Sequence, residues 1–345
     1  MITSLRAFLD DRRSLIPILA EMHRADAFRL YRSRPDGEAD FAFDGTKMRP
    51  DLRAHVAAMF GITGRAIAAC LDLYCLMRLH GEGPKVFRPT AAECLALEEV
   101  QVRVPVSAYA QPFPTFCVEF PPEYRAARRT VGEGVHGGTV SYSPVAQVLA
   151  HVAGHGIIAG ATITDSPDGA TLCGMIGSPD AATIEDDIQK QLGDANTQPV
   201  NSDELTTERR AVRVALNACL MLMDRGFRKL PHGVEAEGLS KQLRAKRTTK
   251  PGVLDDLRAR RQAIPTEFAF VQAVDVRRAV RGAVPDDVAD DVAGRRVRPH
   301  WRSAHWRMQR HGVGLTQSKR VLIPHVMVNA ADFGGSDSET LVIQS

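Results

Sequence analysis

Apolar positions along the chain change period several times, and each change marks a change of element. Leu5, Phe8, Leu9, Ile16, Leu19 and Met22 recur at helical intervals around Pro17, which predicts two short helices or one kinked helix. Val56, Phe60, Ile67, Cys70, Leu71, Tyr74, Cys75 and Met77 form a broad apolar face that predicts a helix over 51–79, broken near Gly61 and Gly64. Thr90 followed by Glu93 has capping-box spacing and predicts a short helix over 90–99. The period then falls to two. Val102, Val104 and Val106 alternate with other residues, as do Phe116, Val118 and Phe120. Three apolar runs rich in β-branched residues, 145–152, 156–163 and 170–176, predict an antiparallel meander, with Ser166-Pro167-Asp168-Gly169 as its last turn.

Helical spacing returns at 180–192 and again at 202–224. In the second stretch Leu205, Val212, Val214, Ala215, Leu216, Cys219, Leu220, Leu222 and Met223 make a face wide enough for burial on two sides, and Gly226 supplies a stop. A basic linker over 241–250, a short helix over 253–262, a strand over 268–274 and an acidic linker of Asp286, Asp287, Asp290 and Asp291 follow. Near the end, a polar loop from Gly312 through Gly314 to Ser318 separates two strand-like runs, the second being Val321 to Val328. In the hairpin this predicts, His300 and Arg302 share a face, and Trp306 and Met308 share another. The expected fold is therefore α+β, an antiparallel sheet packed by helices with a C-terminal basic β-hairpin. Its expected regions are a helical one over 1–88, an α+β core over 89–239 and a basic region over 240–345 that completes the sheet.

Charge sharpens this division. The net charge of +3 hides an asymmetry: residues 240–331 hold 19 Lys or Arg against 8 Asp or Glu, leaving 25 against 33 for the remainder. From Arg295 through Ala331 there is no acidic residue. Such a run calls for an acidic or polyanionic partner, or for an internal interface. Six cysteines without a C-x-x-C pair suit a reducing compartment, and Asp10 and Asp11 stand where an export signal needs apolar residues, so the expected location is cytoplasmic. The uncharged stretch Gly134 to Thr164 carries six glycines and three histidines, which dilutes it below a membrane span and suits buried strands.

Two motifs carry little chemistry here. Gly132-x-Gly134-x-x-Gly137 matches a dinucleotide fingerprint as a string, yet its flanks lack the strand and helix that would bring phosphates to a helix N-terminus, so no cofactor is expected. His151 and His155 have zinc-ligand spacing without the glutamate of H-E-x-x-H or a third donor, so no metal is expected.

The densest chemistry lies in Arg298-Pro299-His300-Trp301-Arg302-Ser303-Ala304-His305-Trp306-Arg307-Met308-Gln309-Arg310-His311, which holds both tryptophans and repeats His-Trp-Arg. Arginine offers flat bidentate donors to phosphate or carboxylate, tryptophan a stacking face, and histidine a switchable charge. Three readings are open: a purely structural strand, a surface binding RNA or an acidic polypeptide, and a metal-independent ribonuclease using His300 and His305 with Arg302. The candidate partner-binding residues are Arg298, His300, Trp301, Arg302, His305, Trp306, Arg307 and Arg310.

The pattern Arg298-Pro299-His300-x-Arg302-x-x-His305-Trp306, followed by a strand with Pro324, Val328 and Asn329, resembles the C-terminus of the second subtype of type V-A anti-CRISPR proteins and their uncharacterised bacterial relatives. Pro114-Thr115-Phe116-Cys117-Val118 and the helix around Ala215 to Met223 are similar to further segments of that family. Ser303-Ala304 stands where the family usually has Arg-Gly, and Leu322 and Ile323 replace an aromatic residue. The resemblance implies a non-enzymatic intracellular regulator that recognises a CRISPR effector as it is synthesised and lowers its production. Taken with the basic segment, the expected partner is RNA, a ribosome-associated nascent chain or an acidic protein, with no membrane and no small-molecule cofactor.

Overall fold

Strands that are apolar on both sides must be covered on both sides, and this requirement organises the molecule. The computed structural model describes residues 4–11, 15–32, 39–60, 67–133, 139–152, 157–165, 171–177, 181–193, 202–231, 234–245, 251–270, 300–324 and 326–328. Helices α1 (Leu5–Asp11) and α2 (Ile16–Ala25) lead to a hairpin of β1 (Phe28–Arg32) and β2 (Ala39–Phe43), then to α3 (Pro50–Phe60) and α4 (Ile67–Gly81). Next come β3 (Lys85–Phe87), α5 (Ala91–Glu98), β4 (Gln101–Val102), β5 (Thr115–Glu119), α6 (Pro122–Ala127), β6 (Thr130–Glu133) and β7 (Thr139–Tyr142). The meander is β8 (Pro144–Val152), β9 (Ile157–Thr164) and β10 (Thr171–Ile176), succeeded by α7 (Ile184–Gly193), α8 (Ser202–Arg225) and β11 (Phe227–Lys229). Finally α9 (Val234–Ala245), α10 (Pro251–Ala263) and β12 (Thr266–Phe270) precede β13 (His300–Arg302), β14 (His305–His311), β15 (Gln317–Ile323) and β16 (Val326–Val328).

The principal sheet has the order β10-β9-β8-β5-β3-β12-β11. Period-two alternation splits its side chains between two cores. Cys117, Val148, Ala150, Ala159 and Ala161 face the core shared with α1, α2 and α4, whereas Phe116, Val118, Leu149 and Ile158 face that shared with α5, α7 and α8. Helix α8 is buried without interruption from Val214 to Leu222, as its wide apolar face requires, and Gly226 ends it with φ 79. Thr90 caps α5 in a full capping box with Glu93.

The fold is α+β, with several differences from expectation. The sheet is mixed, because β3 runs parallel to both β5 and β12. A parallel pair needs a crossover of a dozen or more residues, and the stretch between β3 and β5, containing α5, supplies one. Val104 and Val106 do not extend β4: Pro105 follows, and Val106–Ala108 forms one turn of 3-10 helix. The expected basic linker is helical up to Ala245, while 246–250 and the acidic linker lie outside the described residues. Of the C-terminal region, β12 joins the principal sheet; the hairpin pairs instead with β4 in a separate three-stranded sheet. No helix among the described residues is long and apolar enough to cross a membrane.

Candidate functional site: a basic C-terminal ribbon

Strands β13 to β16 make one long antiparallel ribbon. Strand β14 pairs with β15 from His305↔Ile323 to His311↔Gln317, and β13 pairs with β16 from His300↔Val328 to Arg302↔Val326. The two ladders stay in phase, interrupted where Ala304 falls opposite Pro324, which has no N–H to donate. Ala304 turns inward there, and its carbonyl accepts from the Gln101 backbone N–H at 3.0 Å.

This hydrogen bond seats the ribbon on β4, with His305↔Gln101 and Trp306↔Val102 paired in parallel. The platform beneath is fixed from several directions. The Val102 N–H donates to Glu185 Oε2 at 3.1 Å, and Arg213 closes an ion pair on the other Glu185 oxygen. From α8, the Asn217 amide donates to the carbonyls of Leu97 and Val100, both at 2.9 Å, holding the turn between α5 and β4.

Alternation then decides what each ribbon residue can do. Trp306, 1% exposed, enters the α8 core with Ala304, and Met308 and Leu322 pack behind it. Its indole is therefore no stacking platform for a base. His305 is 3% exposed, and its Nδ1 lies 2.9 Å from the Ser303 carbonyl. A carbonyl only accepts, so Nδ1 carries the proton and donates. Burial holds the His305 imidazole below its ordinary pKa, and the surrounding Arg302, Arg103 and Arg307 act in the same direction. A neutral, buried, internally bonded imidazole gives the ribonuclease reading no support.

Arg302, Arg307 and Arg310 are exposed. Arg307 shares its face with Gln309 and His311, beside Lys319 and Gln317 of β15; Arg310 lies on the opposite face, in line with Met308 and Trp306. The basic residues thus occupy both faces of the outer ribbon. Arg298 lies outside the described residues, and His300 and Trp301 are placed only as strand positions opposite Val328 and Met327.

The tip adds residues that residue type alone does not single out. The loop expected to be polar carries Val313, 97% exposed, and Leu315, 58% exposed. Leu315 has φ 54, a left-handed conformation that an unbranched polar residue or glycine adopts more readily. The turn is nevertheless closed, with the Leu315 N–H on the Gly312 carbonyl at 3.1 Å. In the sequence Lys319 contributes only charge; its position beside Arg307 depends on the register, which spacing alone does not set.

Elsewhere, Gly132 sits on β6 within the β6–β7 hairpin, so a strand rather than a helix follows the glycine string; Gly134 and Gly137 lie outside the described residues. His151 is half-buried on β8 and His155 lies outside the described residues. No group of three metal-ligating side chains occurs among the described residues.

Comparison with known proteins places these elements in a family. No curated protein matches the chain. Among solved structures, the crystal structure of AcrVA2 matches with 15% identity and a TM-score of 0.43, over 94% of this chain and 96% of that one. Residues 86–330, from β3 to beyond the ribbon, match the AcrVA2-like family model, and the chain therefore belongs to the anti-CRISPR type V subtype A2 family.

Proposed function

We propose that this anti-CRISPR protein is a non-enzymatic intracellular regulator that lowers production of a CRISPR effector, and that the outer ribbon is the surface it uses to engage an acidic polypeptide. The observation that carries this reading is the exposure of Arg302, Arg307, Arg310 and Lys319 on a ribbon whose root is locked in the core. Arginines on a rigid strand suit carboxylates, because little conformational freedom is lost on forming bidentate bonds. Val313 and Leu315 at the tip favour a protein over RNA, since aliphatic side chains gain from an apolar pocket and have no counterpart among phosphates and sugars.

Crosslinking and pull-down of the tagged protein, with and without ribonuclease, tests the choice of partner. Recovery of an acidic polypeptide that survives ribonuclease is the expected result. Recovery that ribonuclease abolishes would assign the arginines to RNA, and Arg302→Ala with Arg307→Ala would then flatten the salt dependence by about one unit of log–log slope for each phosphate left unneutralised.

A further inference from the structure

Five carboxylates are buried among the described residues, and four have evident partners. Glu98 accepts from Tyr124 Oη at 2.7 Å and pairs with Arg128. Asp165 accepts from Ser143 and pairs with Arg125 and Arg129. Glu185 holds Val102 and Arg213, and Asp187 accepts from the Gly177 N–H at 2.5 Å. Glu208, on α8 and 6% exposed, makes no hydrogen bond or ion pair among the described residues. A buried carboxyl without a partner is costly, and such a group asks for an explanation.

What Glu208 faces is equally unusual. Beneath it, β9 and β10 place Gly160 opposite Gly174. Paired glycines weaken a strand interior and commonly mark a place where another group approaches the backbone. A methyl group built on Gly174 would lie 3.5 Å from Glu208 Oε1 and meet nothing else within 4 Å among the described residues. One built on Gly160 would lie 3.3 Å from the Gln147 amide nitrogen. Gly174 is itself partly exposed, on β10 at the edge of the principal sheet.

We propose that Glu208 and the side-chain-free position of Gly174, walled by the Gln147 and Leu149 side chains that cover Gly160, form a recess that binds a cationic nitrogen group, an ammonium or a guanidinium, through the Glu208 carboxylate. Among the described residues Glu208 belongs to no group of three metal-ligating side chains, which makes it a poor metal site, but one carboxylate is a sufficient partner for one N–H cation. Burial pushes the free carboxyl up to about 7, and an arriving cation favours its ionised form. This site is independent of the ribbon.

The test is a titration of the Glu208 side chain in the full-length protein by carboxyl carbon NMR, with methylammonium chloride, methylguanidinium chloride or sodium chloride added at matched ionic strength. Either organic cation is expected to lower the Glu208 pKa by about one unit relative to sodium, a tenfold change in protonation constant. Response to methylguanidinium alone assigns the recess to an arginine-like group, and response to methylammonium alone to a lysine-like one. Glu208→Gln should abolish saturable thermal stabilisation by the cation, and Gly174→Val, which fills the recess and leaves the carboxyl in place, should abolish it as well. Equal titration in all three salts, or undiminished stabilisation of both variants, overturns the proposal.

Discussion

The root and the outer half of the C-terminal ribbon are made from the same residue types, yet they live in opposite environments. At the root, His305 and Trp306 are covered, and the His305 imidazole is bonded to the Ser303 carbonyl; a few residues on, Arg307 and Arg310 are exposed and Val313 stands in solvent. The cause is the length of β4. It offers only Gln101 and Val102 to β14, so among the described residues the ribbon has a parallel neighbour at His305 and Trp306 and none beyond. A run that looks like one functional cluster therefore divides into an anchor and a presented surface, and the division is drawn by a strand far away in sequence.

The contrast can be broken most forcefully at Trp306. Trp306→Ala should cost about 3–5 kcal/mol of folding stability, the range for a core aromatic truncation, read from denaturant unfolding. Glu185→Ala should cost about 3 kcal/mol in the same measurement, because it strands Arg213 and frees the Val102 N–H under the root. Glu208 sharpens the comparison from the other side, as a buried carboxylate without such partners. Its folded pKa of about 7 exceeds the unfolded value near 4.5, so its stabilising contribution is full below pH 4.5 and is lost as pH rises to 7. Glu208→Gln should therefore outlast the parent at pH 8 by up to about 3 kcal/mol and lose the advantage at pH 4.

His305 has the opposite sign. Its pKa is depressed in the folded state, so its contribution is full above the ordinary histidine value and falls as pH drops through the folded value. His305→Gln should flatten the acid limb of the stability profile, measured as melting temperature against pH below 6.5. The smallest effect belongs to the outer ribbon: Arg307→Ala with Arg310→Ala should change stability by less than about 0.5 kcal/mol, since exposed side chains without buried partners contribute little.

Much of this architecture was legible in the residues. The meander 145–176, the breadth of α8, the Thr90 cap and the hairpin around Gly312 and Gly314 all follow from local periodicity and turn chemistry. Less legible was anything decided by distant pairing. The parallel alignment of β3 with β5 and β12 has no local signature. The β1–β2 hairpin does carry one, Pro35-Asp36-Gly37 between its strands, but the helical spacing on either side of it dominates the pattern. In the site, residue types alone marked the arginines, but the burial of Trp306 and His305 depends on Gln101 and Val102, and the exposure of Val313 depends on a tip that nothing among the described residues covers. Glu208 was not legible, because a lone glutamate on an amphipathic helix reads as solvated until the sheet below it is known.

The most direct test of the ribbon's division of labour is the level of a co-expressed CRISPR effector in cells carrying either the wild-type protein or Arg307→Glu/Arg310→Glu/Lys319→Glu, the two being matched for expression and melting temperature. If the outer ribbon is the partner surface, the effector returns to its unsuppressed level with the charge-reversed protein while the fold is unchanged. Suppression of the effector to the same level by both proteins would contradict the account.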